Sequence, residues 1–173
     1  MIDRQPALNG DLVRLRPLTP DDWAALYAVA SDPEIWSLHP AHDRWQEPVF
    51  RRFFDEAIAS NGALVIVDRA TAEIVGSSRY GEHDRAKNRI EIGWTFLARS
   101  HWGGPANREV KRLMLAHMLP QVPTVVFRVG ERNHRSRRAL EKIGAALTGE
   151  AEMTNVAGRE VRHVIYATAR VPD

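Results

Sequence analysis

Ile90-Glu91-Ile92-Gly93-Trp94-Thr95-Phe96-Leu97 leads through Ala98-Arg99-Ser100-His101-Trp102-Gly103-Gly104-Pro105 into Ala106-Asn107-Arg108-Glu109-Val110-Lys111-Arg112-Leu113-Met114. The first run is short and rich in β-branched and aromatic residues, as a strand requires. Residues 108–119 place Val110, Leu113, Met114 and Met118 on one helical face. A strand that enters a helix across glycines lets a ligand approach the backbone closely. The helix start adds N–H groups without intrahelical partners and the positive end of a dipole, a combination suited to phosphate. Taken alone, Gly-Gly-Pro before a helix is more often just a tight turn.

Upstream, residues 63–67 and 74–78 are two more short apolar runs joined by a polar turn, so with residues 90–97 they predict three neighbouring antiparallel strands. Residues 12–16 alternate apolar and polar before Pro17 and read as a first strand. Thr19-Pro20-Asp21-Asp22 supplies a capping hydroxyl, a proline and two acids ahead of Trp23, Leu26, Tyr27 and Ala30, which predicts a helix ending near Asp32-Pro33. A loop rich in His, Pro and Trp follows, then a second helical face through Val49, Phe53, Phe54, Ala57 and Ile58, closed by Asn61-Gly62. Downstream come a strand at 122–129, a short helix at 136–143 stopped by Gly144, and two strands within 146–155 and 161–169 joined by Ala157-Gly158. This order predicts an α+β fold: a mixed, mostly antiparallel sheet of about seven strands flanked by about four helices. No repeat, low-complexity tract or linker divides the chain, so residues 1–173 read as one domain.

Composition excludes several functions. With no cysteine there is no disulfide framework, thiolate metal site or cysteine nucleophile. The histidine-bearing stretches lack the spacing of a metal site, and none is expected. The net charge is +2, too small an excess to argue for nucleic acid, and the cluster Arg128, Arg132, Arg135, Arg137 and Arg138 reads equally as a solvated face or one that meets phosphates. At 44% hydrophobic and 27% charged residues, with no apolar run long enough for a bilayer or a signal peptide, the expectation is a soluble chain in the cytoplasm without a membrane partner.

A second motif gives the first its meaning. Gly130-Glu131-Arg132-Asn133-His134-Arg135-Ser136 runs on to Leu140, Lys142 and Gly144. Together with Ile90 to Trp94 and the turn His101-Trp102-Gly103-Gly104, it resembles the GNAT N-acetyltransferase superfamily, within it the RimJ/RimL-like (ribosomal-protein-alanine acetyltransferase) branch, over residues 12–169. The resemblance implies a sheet splayed into a V between the strands at 90–97 and 122–129, with the pantetheine arm of acetyl-CoA lying between them. It implies backbone contacts to pantetheine at Thr95, Phe96 and Leu97, and pyrophosphate held by the turn that includes Trp102, Gly103, Gly104, Ala106 and Asn107. Asn133 and Ser136 would lie beside the cofactor, and Arg135, Arg138 and Lys142 would meet its phosphates. The chain departs from the family turn at both ends: Ser100 stands where arginine or glutamine is usual, and Pro105, without an N–H, stands at the last small position.

The implied chemistry is direct attack of a primary amine on the thioester, with no acyl-enzyme. Glu91 is the candidate base; a structural ion pair with Arg79 or Arg89 is the competing reading. Ser136 is the candidate partner of the leaving thiolate and also a natural helix N-cap. Tyr80, His83 and His101 are further candidates for proton transfer. Trp36, His39 and Trp45, in the loop that also holds His42, together with Tyr80, are expected to line the acceptor pocket, although a tryptophan there equally anchors a loop. The acceptor is a protein N-terminus or a small amine; the alternative is a non-catalytic acyl-CoA-binding module. Open sheet edges are compatible with a homodimer.

Overall fold

The computed structural model describes residues 2–173. In chain order the elements are β1 Leu8–Asn9, β2 Val13–Pro17, α1 Trp23–Ala30, α2 Glu47–Ala59, β3 Ala63–Asp68, β4 Ile74–Asp84, β5 Arg89–Leu97, α3 Ala106–Met118, β6 Thr124–Gly130, α4 His134–Lys142, β7 Ala146–Val156 and β8 Arg159–Thr168. The strands form one sheet in the order β1-β2-β3-β4-β5-β6-β8-β7, antiparallel except for β5 with β6. This is the expected α+β architecture with one strand more than predicted: β1 has only two residues, too few to leave a periodic signal.

A second difference lies in β4. Residues 79–84 include Gly81 and the charged or titratable Arg79, Glu82, His83 and Asp84 and lie beyond the predicted strand, yet they continue it. Pairing to β5 carries them: Arg79 lies opposite Gly93, Tyr80 opposite Ile92 and Asp84 opposite Arg89, with bulges absorbing the mismatch.

Two apolar layers cover the sheet. In one, Val110, Met114, Leu115 and Met118 of α3 and Leu140 of α4 meet Ile90, Ile92, Val125, Phe127, Val164 and Tyr166. In the other, Leu26 and Ala30 of α1 and Phe50, Phe53, Phe54 and Ala57 of α2 meet Val65, Val67 and Phe96. Each fully buried large side chain among these contributes about 1.5–3 kcal/mol.

The start of α3 is tied to the far edge of the sheet by a carboxylate. Glu109, almost wholly buried, accepts the backbone N–H groups of Asp11, Leu12 and Val13 at 2.9, 2.8 and 2.8 Å. Burial would raise its pKa; the three N–H donors outweigh that and hold it below the ordinary glutamate value. Glu109→Ala leaves those amides without an acceptor and is expected to destabilise the fold by about 2–3 kcal/mol. Urea unfolding would read this as a lower midpoint at unchanged slope.

Candidate active site

β5 and β6 pair only through Arg89–Thr124, Ile90–Val125 and Glu91–Val126. Beyond Glu91 and Val126 they part, at the place where the resemblance implies the V. A bulge in β5 accompanies the parting. Between the pairs Arg79–Gly93 and Ser77–Phe96, β5 advances three residues while β4 advances two. The extra residue swaps the faces: Ile90 and Ile92 enter the α3 layer, whereas Phe96, of the same parity, enters the α1/α2 layer. Trp94 stands in the bulge at φ 53°, a conformation that costs a non-glycine residue about 1–3 kcal/mol and persists only where the surroundings enforce it. Thr95 is pinned behind it, its hydroxyl 2.7 Å from that of Ser78.

The side chain of Lys111 reaches this point from α3. Its Nζ donates to Thr95 Oγ1 at 2.6 Å and lies 5.6 Å from the Phe127 ring, so it sits between the two strands where they separate. Only 6% exposed, the amine has its pKa lowered by burial from 10.5 to about 7. Sequence reasoning passed over Lys111, although a signal was present: it precedes Leu115 by one turn and Met118 by two, on the buried stripe of the helix.

The donor-side turn is partly engaged within the protein. The Trp102 indole N–H donates to the Leu97 carbonyl at 3.0 Å. The Arg135 guanidinium stacks 3.9 Å above the Trp102 ring and donates to the Ile35 carbonyl at 3.0 Å. Arg135 therefore bridges three segments. Gly103, at φ +70°, and Gly104 border open space, and α3 begins at Ala106 with Pro105 as its N-cap. The missing proline N–H thus falls just outside the helix, and the first-turn amides of Ala106, Asn107 and Arg108 keep the geometry of an anion site.

Asn133 caps α4: its Oδ1 accepts the Ser136 N–H at 3.2 Å, and the residue is 4% exposed. This corrects one expectation: Asn133, and not Ser136, is the N-cap of α4. The Ser136 hydroxyl has no hydrogen-bond partner among the described residues. Arg138 and Lys142 are exposed on α4 and form no ion pair among the described residues. The open V, the unpaired strand edges at residues 92–97 and 127–130, and the uncapped start of α3 fit a CoA thioester in an extended pose.

Glu91 faces the other side of the sheet. It borders a cavity of about 100 Å³ with Glu82, Asp84, Arg89 and Arg128 among its walls. Its carboxylate lies along the strand over Gly93, where a Cβ would stand only 3.0 Å from Oε1. The expected ion pairs are absent. Arg89 binds Asp84 and Glu150 instead, and the nearest cation to Glu91 is Arg128 at 3.9 Å, itself 3.3 Å from Glu152. Burial pushes the Glu91 carboxyl up, against the pull of Arg128.

The segment between α1 and α2 spans the open side of the V. Pro40 rests on Gly130 at the end of β6, where a Cβ would fall 2.7 Å from the proline ring. His39 is held beneath it, with Nδ1 accepting the Ala41 N–H at 2.9 Å. Burial, with Arg44, His163 and Arg135 around it, depresses the His39 pKa to about 3, so the ring is neutral. Trp36 is 2% exposed, packs 5.1 Å from Phe96 and donates its indole N–H to the Ala30 carbonyl. It is the anchor of the segment and not a pocket wall. Tyr80 is corrected likewise: fully buried, it donates its hydroxyl to the Met114 carbonyl at 2.8 Å. Trp45 is exposed, its carbonyl accepting the Tyr27 hydroxyl. His83 bonds Asn88, and His101 bonds Asp68 and Ser100. Neither histidine lines the cavity beside Glu91.

Residues 13–146 match the family model described as the acetyltransferase (GNAT) domain. No curated protein matches the chain. Among solved structures, a GCN5-related N-acetyltransferase from Brucella melitensis is similar at a TM-score of 0.85 and 21% identity, covering 98% of this chain and 80% of that one. An acetyltransferase from Agrobacterium tumefaciens is similar at 0.71 and 24%, over 95% of each chain. Mycobacterium smegmatis RimJ, in complex with CoA-disulfide, is similar at 0.69 and 20%, over 94% of this chain and 85% of that one. At these identities the likeness is one of fold.

Lys111 makes stability depend on pH in a defined direction. Its folded pKa, about 7, lies below its ordinary value of 10.5, so between the two the unfolded chain binds more protons and stability rises with pH. The charge penalty is fully present below about 7 and relieved toward 10.5. In urea titrations from pH 6 to about 10, Lys111→Met is expected to remove that rise and to gain most over the wild type at the acid end.

Proposed function

The chain belongs to the GNAT acetyltransferase family, and on that premise we propose that it is, as one domain, an acetyl-CoA-dependent N-acetyltransferase acting on a primary amine. The single observation that carries this reading is the separation of β5 from β6 at Glu91, with a partly desolvated carboxylate on one side and the start of α3 on the other. Members of the family use acetyl-CoA, and the open V fits it.

When bound, acetyl-CoA supplies a thioester carbonyl that a neutral amine attacks directly, releasing CoA thiol. The protein has four tasks around that exchange. Glu91 receives the proton that the amine must lose, and its raised proton affinity brings it closer to a working base near neutral pH. Ser136 holds at Oγ, bonded to no other described group, a proton available to the leaving sulfur. The first-turn amides of α3, with the exposed Arg138 and Lys142, neutralise the phosphates. The segment resting on Gly130 limits the access of water to the V.

A non-catalytic acyl-CoA-binding module is the second reading, favoured by Pro105 and Ser100 in the phosphate turn. N-terminal amines of proteins, the acceptors of the RimJ/RimL branch, enter as one arm of the test. Isothermal titration with acetyl-CoA, followed by thiol release against small amines and N-terminal peptides, is expected to give saturable binding and amine-dependent release. Binding without release from any amine supports the silent module, and absence of binding refutes both readings. Glu91→Gln is expected to lower kcat by about 10²–10⁴-fold while leaving acetyl-CoA affinity unchanged. In the wild type, kcat/KM falls with acid through a pKa above the ordinary glutamate value, and that limb is absent from the variant.

A further inference from the structure

Two arginines on the acceptor side of the V, Arg79 buried and Arg44 half-buried, lack counter-ions among the described residues. Arg79, on β4, is 6% exposed, and its Nε has no hydrogen-bond partner. Its one contact to an acceptor is a long one, 3.5 Å from Nη2 to the Phe53 carbonyl. The guanidinium lies 5.3 Å from the Phe53 ring and 4.7 Å from that of Trp94. Arg44, on the segment that crosses the V, lies 4.4 Å from the same Phe53 ring and 5.2 Å from that of Trp36. Neither arginine has a carboxylate within 4 Å among the described residues; Glu56, Asp43 and Glu91 act on them only at longer range.

Burial, and for Arg44 the charge of Arg79 as well, lowers both pKa values to about 10, so both remain charged at neutral pH. Two like charges brought together and largely withdrawn from water, with the Arg79 Nε–H left unmatched, make an unfavourable arrangement unless an anion completes it. Aromatic faces offset part of the cost and leave the in-plane donors free. The position of Arg79 indicates where such an anion sits. Arg79 is directly opposite Gly93, the residue over which the Glu91 carboxylate lies. A cation pair and the candidate base therefore share one face of the sheet, beside the place where β5 and β6 part.

We propose that Arg79 and Arg44 form a carboxylate subsite, and that the acceptor is a small primary amine that also carries a carboxylate, of the amino-acid class. Its carboxylate lies on the guanidinium groups and its amine at Glu91. The assignment rests on the transferase reading above, and its test keeps the two apart.

Thermal melting of the full chain, with and without a panel of free amino acids and their amides, reads the subsite without catalysis. Wild-type protein is expected to melt higher in the presence of at least one acid and not its amide. Arg79→Met is expected to melt above wild type when both are ligand-free, because an uncompensated charge is gone, and to lose the response to the acid. A merely structural stacking role for Arg79 predicts the opposite sign for the ligand-free variant. With acetyl-CoA present, kcat/KM for the acid is expected to exceed that for its amide by about 10²-fold, and Arg79→Met to erase the difference at unchanged acetyl-CoA affinity. Arg44→Met, altered outside the sheet, repeats the comparison if the β4 variant does not fold.

A melting response that vanishes in the variants, without thiol release from any amine, upholds the subsite and refutes the transferase. Equal use of acids and amides, or a preference for N-terminal peptides that Arg79→Met leaves intact, overturns the subsite and leaves the transferase standing.

Discussion

The bulge at Trp94 is the constraint on which the site depends. One extra residue in β5 shifts its register against β4 and reverses which residues face which layer. Thr95 is thereby turned toward α3 and Lys111, while Phe96 is turned into the aromatic cluster under α1 and α2. The same strand stops pairing with β6 just before the bulge, at Glu91. An opening in a sheet is costly because it leaves backbone groups unpaired, and here it is held open by groups on both faces: the Ser78–Thr95–Lys111 chain of hydrogen bonds behind, and Trp94 over Arg79 in front.

That geometry separates two kinds of chemistry. Behind the sheet, a helix start and free basic side chains on α4 suit the phosphates of a nucleotide. In front lie a desolvated carboxylate, a neutral histidine and two unpaired arginines under a segment anchored by Trp36 and Pro40. The V lies between them, and under the proposed function it is where a donor and an acceptor arriving from opposite faces would meet.

How much of this was legible in the sequence follows from what each residue depends on. Helices and strands with strong periodicity, such as α2 and β3, were readable because their burial is set by their own spacing. The resemblance added the V, which no local pattern encodes, since the parallel β5/β6 contact joins segments separated by a whole helix. β4 beyond residue 78 was missed because its pairing with β5 overrides Gly81 and its charges. The cap of α4 fell to Asn133 and not to Ser136 for a simple reason: both are good caps, and only the helix start decides between them. Trp36 and Tyr80 went into the core because each found a carbonyl for its polar atom there. Arg79 and Lys111, the most informative charges, were invisible as such, because a charge in a sequence reads as surface until a sheet or helix buries it.

Hydrogen–deuterium exchange with and without saturating acetyl-CoA tests the central claim most directly, because it reads the unpaired edges themselves. The account predicts protection of amides within residues 92–97 and 127–130 and in the first turn of α3, on both sides of the V at once. Protection confined to the exposed basic face of α4, or none at saturation, would contradict it.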